Sequence, residues 1–406
     1  MEIRPILSTL SRHKTAAALI VLEIALSCAI ICNILFIISQ RLSTLSTPSG
    51  VDDAHLVEIA LSGIGKQADA DARTAEDLAA LRSVPGVESV AIVNQLPFQN
   101  GSWNTTLAAS PEPDAQSTSA TQYMVGEHTL QTLGLKLIAG RDFNADEYQS
   151  SSVLEGADVS AMKSPLIITR SVAEQMFPDA PAVGRTVYMA NIPLTIVGVV
   201  DALARPNRMG SDRVRSMILP VRLHYNNGGR YVIRVADPAR RDEVLKAALA
   251  ALDRNDPNRL VWRKMSFEQG RAEFFATDRD MIGLLIIVSV LLLLVTALGI
   301  VGLASFWVQQ RTKQIGIRRA LGATRRQVLR YFQTENFLLV TLGIVLGMLA
   351  AYAINLWLMS AYELPRMPLL YLPVGAVLLW LLGQLAVFGP ARRAAAVPPA
   401  TATRST

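Results

Sequence analysis

Cysteine is almost missing from this 406-residue chain, in which Cys28 and Cys32 are the only two. They lie four apart inside an apolar run, where a helix places both on one face but rarely at disulfide geometry. They are expected to be small core residues, and they say nothing about redox compartment. Histidine is nearly as scarce. His13, His55, His128 and His224 are scattered, with no H-E-x-x-H and no second ligand at metal spacing, so no zinc site is expected. There is no G-x-S-x-G, and nothing in the sequence pairs the carboxylates as acid and base. The nearest approach to a nucleotide loop is "LSGIGKQ". It lacks the first glycine of a Walker A loop, and Gln67 stands where the Mg²⁺-binding Ser or Thr belongs. The chain is therefore expected to be non-catalytic, with no cofactor or metal of its own.

What the chain has in quantity is apolar sequence. Hydrophobic residues make up 51% and the mean hydropathy is +0.31, unusual for a soluble protein. Four segments are long and apolar enough to cross a bilayer: 15–38, 281–307, 337–358 and 369–388. The first is too long for a cleaved signal peptide, and "SQRLSTLSTPSG" offers no A-x-A site, so it is expected to stay as an anchor.

Charge orients the spans. Residues 39–280 carry 25 Lys+Arg against 29 Asp+Glu, net −4, whereas the rest carries 14 against 4, net +10, together the +6 of the whole. The excess positives precede the first span, separate the second from the third, and follow the fourth. The positive-inside rule then puts residues 1–14, 308–336 and 389–406 in the cytoplasm, and 39–280 and 359–368 outside. The expected fold is an α-helical membrane protein with four transmembrane helices. A large α+β domain of two subdomains is inserted between the first two.

Within that domain, strand and helix signals alternate. "HLVEIAL", the amphipathic helix "DARTAEDLAALRSV" and "VESVAIVNQLP" form a first β-α-β-like unit. A Pro/Ser/Asp-rich loop, "AASPEPDAQSTSA", leads into a middle block. A second unit follows, with strands "RVRSMILPV" and "RYVIRVAD", helix "PARRDEVLKAALAALDR" and strand "RLVWRKM". Ser266 and Gln269 fit a capping box. A helical stalk from about 266 is expected to run unbroken into the second span as a mechanical link.

Two features inside the membrane region invite a functional reading. Glu23 is an acidic residue within a span, where carboxylates are functional candidates by default. The plainer reading is a protonated or hydrogen-bonded group at a helix contact near Ser27, one turn on. The other feature is "RTKQIGIRRALGATRRQVLRYF", with seven positive charges between two apolar spans. Topology and anionic lipid account for charge alone. Nucleic acid would want stacking aromatics, and only Tyr331 and Phe332 are near, so no nucleic-acid partner is expected. A docking element needs shape as well. Gly322 is a natural helix terminator, and Thr324 with Gln327 fits a fresh capping box. A short helix near Thr312–Leu321 is expected to turn at Gly322-Ala323 into another helix running on to the third span, with Ile317, Leu321, Val328 and Phe332 supplying an apolar face.

This stretch, as "QRTKQIGIRRALGATRRQVLRYFQTE", resembles the cytoplasmic signature of the MacB/FtsX superfamily of ABC transporter permeases, R-x-x-E-I-G-x-R-x-A-L-G-A-x-x-x-x-[IV]. Arg311, Ile315, Gly316, Arg318, Ala320, Leu321, Gly322 and Ala323 match it, whereas Gln314 replaces the usual Glu. "LGLKLIAGRDF", "ITRSVAEQMFPDAPAVGRTV" and "TIVGVVDAL" look like the MacB-type periplasmic core domain, and "PARRAAAVPPATATR" looks like the family's tail.

The resemblance implies a permease subunit of the inner membrane with its large domain in the periplasm. Its partners would be a cytoplasmic ABC ATPase dimer, which binds ATP and Mg, and a second permease subunit, identical or not. A periplasmic adaptor, an outer-membrane channel and membrane lipid are further partners that it implies. The coupling loop would comprise the matched residues with Arg319 and Arg325. Such systems transmit ATP-driven motion to the periplasm, a mechanism called mechanotransmission, to export peptides or small amphiphiles or to extract lipoproteins. The alternative is an FtsX-like, non-transporting regulator of periplasmic cell-wall enzymes.

Overall fold

The computed structural model describes residues 14–63, 69–151, 165–207, 213–224, 229–362 and 366–396. The nucleotide-like stretch at 64–68, the N-terminal 13 residues and the tail from 397 lie outside them. The chain divides into two compact units: Ser46–Thr277, and Met1–Leu45 with Asp278–Thr406.

The second of these units contributes the first helix, α1 (Lys14–Leu45). The outer unit then begins with β1 (Leu56–Gly63), α2 (Ala70–Arg82) and β2 (Val87–Val93). Its middle block contains β3 (Asn104–Ala108), β4 (Ser117–Val125), α3 (Thr129–Leu133), β5 (Leu137–Gly140) and β6 (Gln149–Ser150). It continues with β7 (Pro165–Thr169), α4 (Arg170–Met176), β8 (Thr186–Met189), β9 (Ile192–Val200) and β10 (Ser216–Arg222). The unit closes with β11 (Arg230–Val235), α5 (Arg241–Asn255), β12 (Arg259–Ser266) and α6 (Phe267–Phe274).

The two β-α-β-like halves interleave. β1 lies between β12 and β11, and β11 pairs with β2, all antiparallel. The order β12-β1-β11-β2 is that of a split β-α-β-β-α-β fold whose middle has been opened by an insertion. The buried side of α2 is set by helical spacing: Ala70, Thr74, Asp77 and Leu81 all face inward. Asp77 is the charged member of this buried set, and Arg259 of β12 answers it at 2.5 and 3.1 Å. The insertion forms the second subdomain, joined to the first sheet by the pair Val93–Val125 between β2 and β4. The Pro/Ser/Asp-rich loop is shorter than its composition implies, because Ser117–Ala120 pair with β3 along β4.

The capping box at the start of the stalk is present: Ser266 Oγ accepts from Gln269 N, and Gln269 Oε1 accepts from Ser266 N at 3.1 Å. The unbroken helix is not. α6 stops at Phe274 and the next helix, α7 (Ala276–Gln310), starts two residues on. Phe275 takes φ −93° and ψ 4°, and its ring is buried against Phe98 and Phe274. Aromatic packing fixes the interruption, which no Gly or Pro announces.

The remaining helices of the membrane unit are α8 (Thr312–Ala320), α9 (Arg325–Tyr362) and α10 (Tyr371–Ala396). Among the described residues, four helices are long and apolar enough to cross a membrane: Ala17–Leu45, Ala276–Gln310, Arg325–Trp357 and Tyr371–Ala396. α1 packs on α9 and α10 around Ile20, Ile24, Cys28 and Val340. Both cysteines are free and fully buried, in the role of small core residues.

Candidate functional site

The basic loop folds into two helices joined by a tight turn. At the end of α8, Gly322 takes φ 99°, a conformation that costs glycine little. Ala323 N donates to Arg318 O and Gly322 N to Arg319 O, both at 3.1 Å, which is the Schellman pattern. Thr324 then caps α9: Gln327 N donates to Thr324 Oγ1 at 3.3 Å, and Thr324 N donates to Gln327 Oε1 at 2.8 Å. Two local motifs, end to end, turn the chain within four residues.

The residues of the signature divide into two sets. Arg311, Ile315 and Gly316 are buried. Arg311 Nη1 donates to both carboxylate oxygens of Glu335 at 3.0 and 2.9 Å, and the guanidinium lies 5.5 Å from the Trp307 ring centroid. Arg319 is half-buried and donates to Ala395 O at 3.0 Å, tying α8 to the end of α10. Ala323 is half-buried in the turn. Arg318, Ala320, Leu321, Gly322 and Arg325 are exposed, Arg318 with its guanidinium 5.1 Å from the Tyr331 centroid.

The expected apolar face is wrong in half its members. Val328 and Phe332 do pack inward, with Val308, Ile315, Ala391, Ala394 and Ala395. Ile317 and Leu321 point outward, 46% and 83% exposed. The reason is helical phase: the side of α8 that carries Ile315 and Gly316 lies on α10, and residues 317 and 321 fall on the other side. The outward side is thus Gln314, Ile317, Arg318 and Leu321, at i, i+3, i+4 and i+7.

Glu23 lies where α1 meets α7. A Cβ on Gly299 would collide with its carboxylate, and one turn away Ser27 Oγ and Thr296 Oγ1 are 2.8 Å apart.

Sequence reasoning missed three contributors. Glu335 is the partner of Arg311, and its side chain is 2% exposed. Asn336, next to it, donates to Gly383 O of α10 at 2.9 Å. Their polarity at the entry of an apolar helix was the available signal. The third is "GIVLG", Gly343 and Gly347 of α9, a G-x-x-x-G pattern that α1 packs against through Ile24, Ala25 and Cys28.

Comparison with known proteins agrees with this architecture. Residues 17–251 match the MacB-like periplasmic core domain, and residues 286–399 the FtsX-like permease C-terminal domain. The macrolide export ATP-binding/permease protein MacB of Chromobacterium violaceum is 27% identical over 304 residues, 68% of this chain and 42% of that protein. The protein of the same name from Shewanella sp. is 25% identical over 368 residues, 84% of this chain and 50% of the relative. The chain thus spans half or less of the length of these two relatives. Among solved structures, the periplasmic region of MacB from Actinobacillus actinomycetemcomitans aligns at a TM-score of 0.33 and 17% identity. That alignment covers 56% of this chain and 95% of the solved one. With more than half of its residues matched by the periplasmic core family and the FtsX-like domain following, this chain, a membrane protein with a large periplasmic domain, belongs to the MacB/FtsX-type superfamily of ABC transporter permeases.

Proposed function

We propose that the chain is the membrane subunit of a mechanotransmission transporter. In this reading a separate cytoplasmic ABC ATPase dimer binds ATP and Mg, and this chain contributes no catalytic group. The charge asymmetry of +10 against −4 supports an inner-membrane topology with both termini and the α8–α9 turn in the cytoplasm. Residues 39–280 then lie in the periplasm, where the work of exporting or extracting a peptide, small amphiphile or lipoprotein is done. The curated relatives are named as macrolide exporters with ATP-binding and permease roles together. Here the ATP-binding role is assigned to the partner. A second permease copy, or a sister chain, completes the subunit pair. An adaptor and an outer-membrane channel would complete the export route.

The observation that carries this reading is the outward side of α8. Leu321 is 83% exposed beside Ile317 and Arg318, on a helix whose other side is pinned by Arg311–Glu335 and Arg319–Ala395. An exposed leucine and isoleucine beside an arginine, on a helix held rigidly from behind, form an apolar patch with a charge at its edge, which suits cover by a protein partner. Further, Arg325 and Arg326 stand at the N-terminal, positive end of α9. Cations there cost about 0.3–1 kcal/mol each, so an external anionic surface would offset them.

The test is to combine Arg318→Glu with Leu321→Ala, leaving Arg311 and Arg319 intact because both serve the fold. Stimulated ATP turnover by the co-expressed ATPase is expected to drop by about tenfold or more, with membrane insertion unchanged. If turnover and co-purification of the ATPase match the parent, contact with lipid replaces docking as the role of this surface.

A further inference from the structure

The outer unit holds a cavity of about 750 Å³, within the size range of sites that take small molecules. Its walls come from three places: the loop after β2, the β11–β12 side of the first sheet, and α6. Two tryptophans stand at it in the open, Trp103 60% and Trp262 48% exposed, with Phe98 and Phe274 behind them. Isolated exposed aromatics are ordinary, but two on one cavity give a ligand a pair of flat apolar faces.

The wall is built rather than incidental. Phe98 has φ 63°, a left-handed conformation that costs a bulky residue energy. It is held there by its ring contacts with Phe267, Phe274 and Phe275 and by the Arg271 guanidinium 4.9 Å away. The amides of Gln95 and Gln99 are spent on the frame. Gln95 accepts from Trp103 N at 3.1 Å and donates to Gln122 O at 2.9 Å, whereas Gln99 donates to Glu58 at 3.2 Å.

The charges do not balance. Arg230 and Arg263 share one buried carboxylate, Glu58, which is 3% exposed. The second carboxylate within reach, Glu273, is 3.8 Å from Arg263 with a side chain 61% exposed, a pairing worth little in water. Arg230 stacks 4.4 Å over Trp262, and its buried Nε has no hydrogen-bond partner among the described residues. The orphaned Nε is out of a ligand's reach, so a carboxylate would meet the outer guanidinium N–H groups, which favour it. With one carboxylate buried between two arginines and the other largely in water, the positive groups dominate the site beside two aromatic faces.

We propose that this cavity binds an amphiphilic monocarboxylate, its acid group at Arg230 and Arg263 and its apolar body against Trp103 and Trp262. The free C-terminus of an apolar peptide and a fatty acid share this chemistry. The proposal rests on the transport reading only in naming what the outer domain takes up. Binding is measured without ATP, so its outcome and that of the docking test are separate.

The experiment uses the full chain in lipid nanodiscs and titrates three probes by calorimetry: N-acetyl-Phe-Leu-Phe as the acid, the same peptide as its C-terminal amide, and decanoate. The peptide acid or decanoate, or both, are expected to bind at least about tenfold more tightly than the amide, as a charge-assisted bond to arginine requires. Whichever acid binds names the source. Trp262→Ala and Trp103→Ala are each expected to weaken it about tenfold. Glu273→Gln removes the negative charge that pairs loosely with Arg263 at the cavity, so it is expected to tighten acid binding about two- to fivefold and leave the amide unchanged. Equal binding of acid and amide, no binding of either acid, or no response to the Glu273 variant overturns the proposal.

Discussion

In the outer unit, Asp77 of α2 and Arg259 of β12 have side chains 1% exposed, and they do not stand alone. Tyr231 donates its hydroxyl to Asp77 at 2.9 Å and Asn255 its amide at 3.3 Å. The α1–α9 crossing of the membrane unit is built differently, its polar contacts being single bonds to backbone such as Asn33 Nδ2 to Ala351 O at 3.2 Å. There Gly347 of α9 meets α1 so closely that a Cβ would sit 2.5 Å from Cys28 Cβ and 2.6 Å from Ala25 O. The difference follows from solvent. An aqueous domain gains from burying apolar surface and then tolerates a buried ion pair if every lone pair is met. Between helices in lipid that gain is missing, and close approach of small residues takes its place. Polar saturation holds this part of the outer core and close steric fit the α1–α9 crossing, and each can be attacked separately.

The largest effect is expected from Asp77→Ala. It removes the Asp77 carboxylate from the buried Arg259 and the acceptor from Tyr231, at a cost of about 3–5 kcal/mol. In the parent, burial first and Asp77 next push the Tyr231 hydroxyl well above its usual range, which keeps it the donor of that bond. Chemical unfolding of the full chain, followed by hydrogen exchange in α2 and β11, measures it. A loss below about 1 kcal/mol would mean that apolar packing alone carries the outer core.

A second prediction strikes the other side. Gly347→Ala pushes against backbone and Cβ atoms that cannot step aside, and overpacking of this kind costs about 1–3 kcal/mol. Gly299→Ala is the matched control, because there the new methyl meets only the mobile end of Glu23. Cys28 supplies a native reporter. Its labelling by a membrane-permeant maleimide is expected to rise about tenfold in the Gly347 variant and stay at the parent rate in the Gly299 variant. Equal rates in both would dissolve the claim that steric fit holds the α1–α9 crossing.

What was legible in the sequence follows the reach of the forces involved. The α8–α9 turn could be read because Gly322, Thr324 and Gln327 act within four residues of one another. The apolar helices could be read because length and hydropathy suffice. Partners far apart could not. Asp77 and Arg259 are 182 positions apart, and the β12-β1-β11-β2 order depends on strands from opposite ends of the domain. Ile317 and Leu321 were assigned to the wrong side because a nine-residue helix gives spacing but not phase; only α10 decides which side is covered. The break at Phe275 was invisible for a related reason. Its cause is the packing of Phe98, 177 residues earlier in the chain, and no local signal marks it.

The smallest effect sharpens the comparison on the aqueous side, where ion pairs nearer the surface should matter less than Asp77. Asp52 is such a case, with a side chain 31% exposed. Burial raises its carboxyl, but hydrogen bonds from His55 at 2.9 Å and Arg234 at 2.6 Å more than offset this and hold it below the usual carboxylate range. A carboxyl depressed in the folded state contributes stability above its unfolded value, about 3.9, and loses it as pH falls through the folded value. Asp52→Asn is therefore expected to cost about 0.5–1 kcal/mol at pH 7. The gap to the parent should close as pH falls through that lowered folded value and narrow with added salt. Arg234 keeps Glu88 at 3.2 Å as a second partner, which limits the loss. A gap that stays as wide on acid titration through the carboxylate range and below it as at pH 7 would show that Asp52 acts through shape, and that charge pairing in the outer unit matters only where water is excluded.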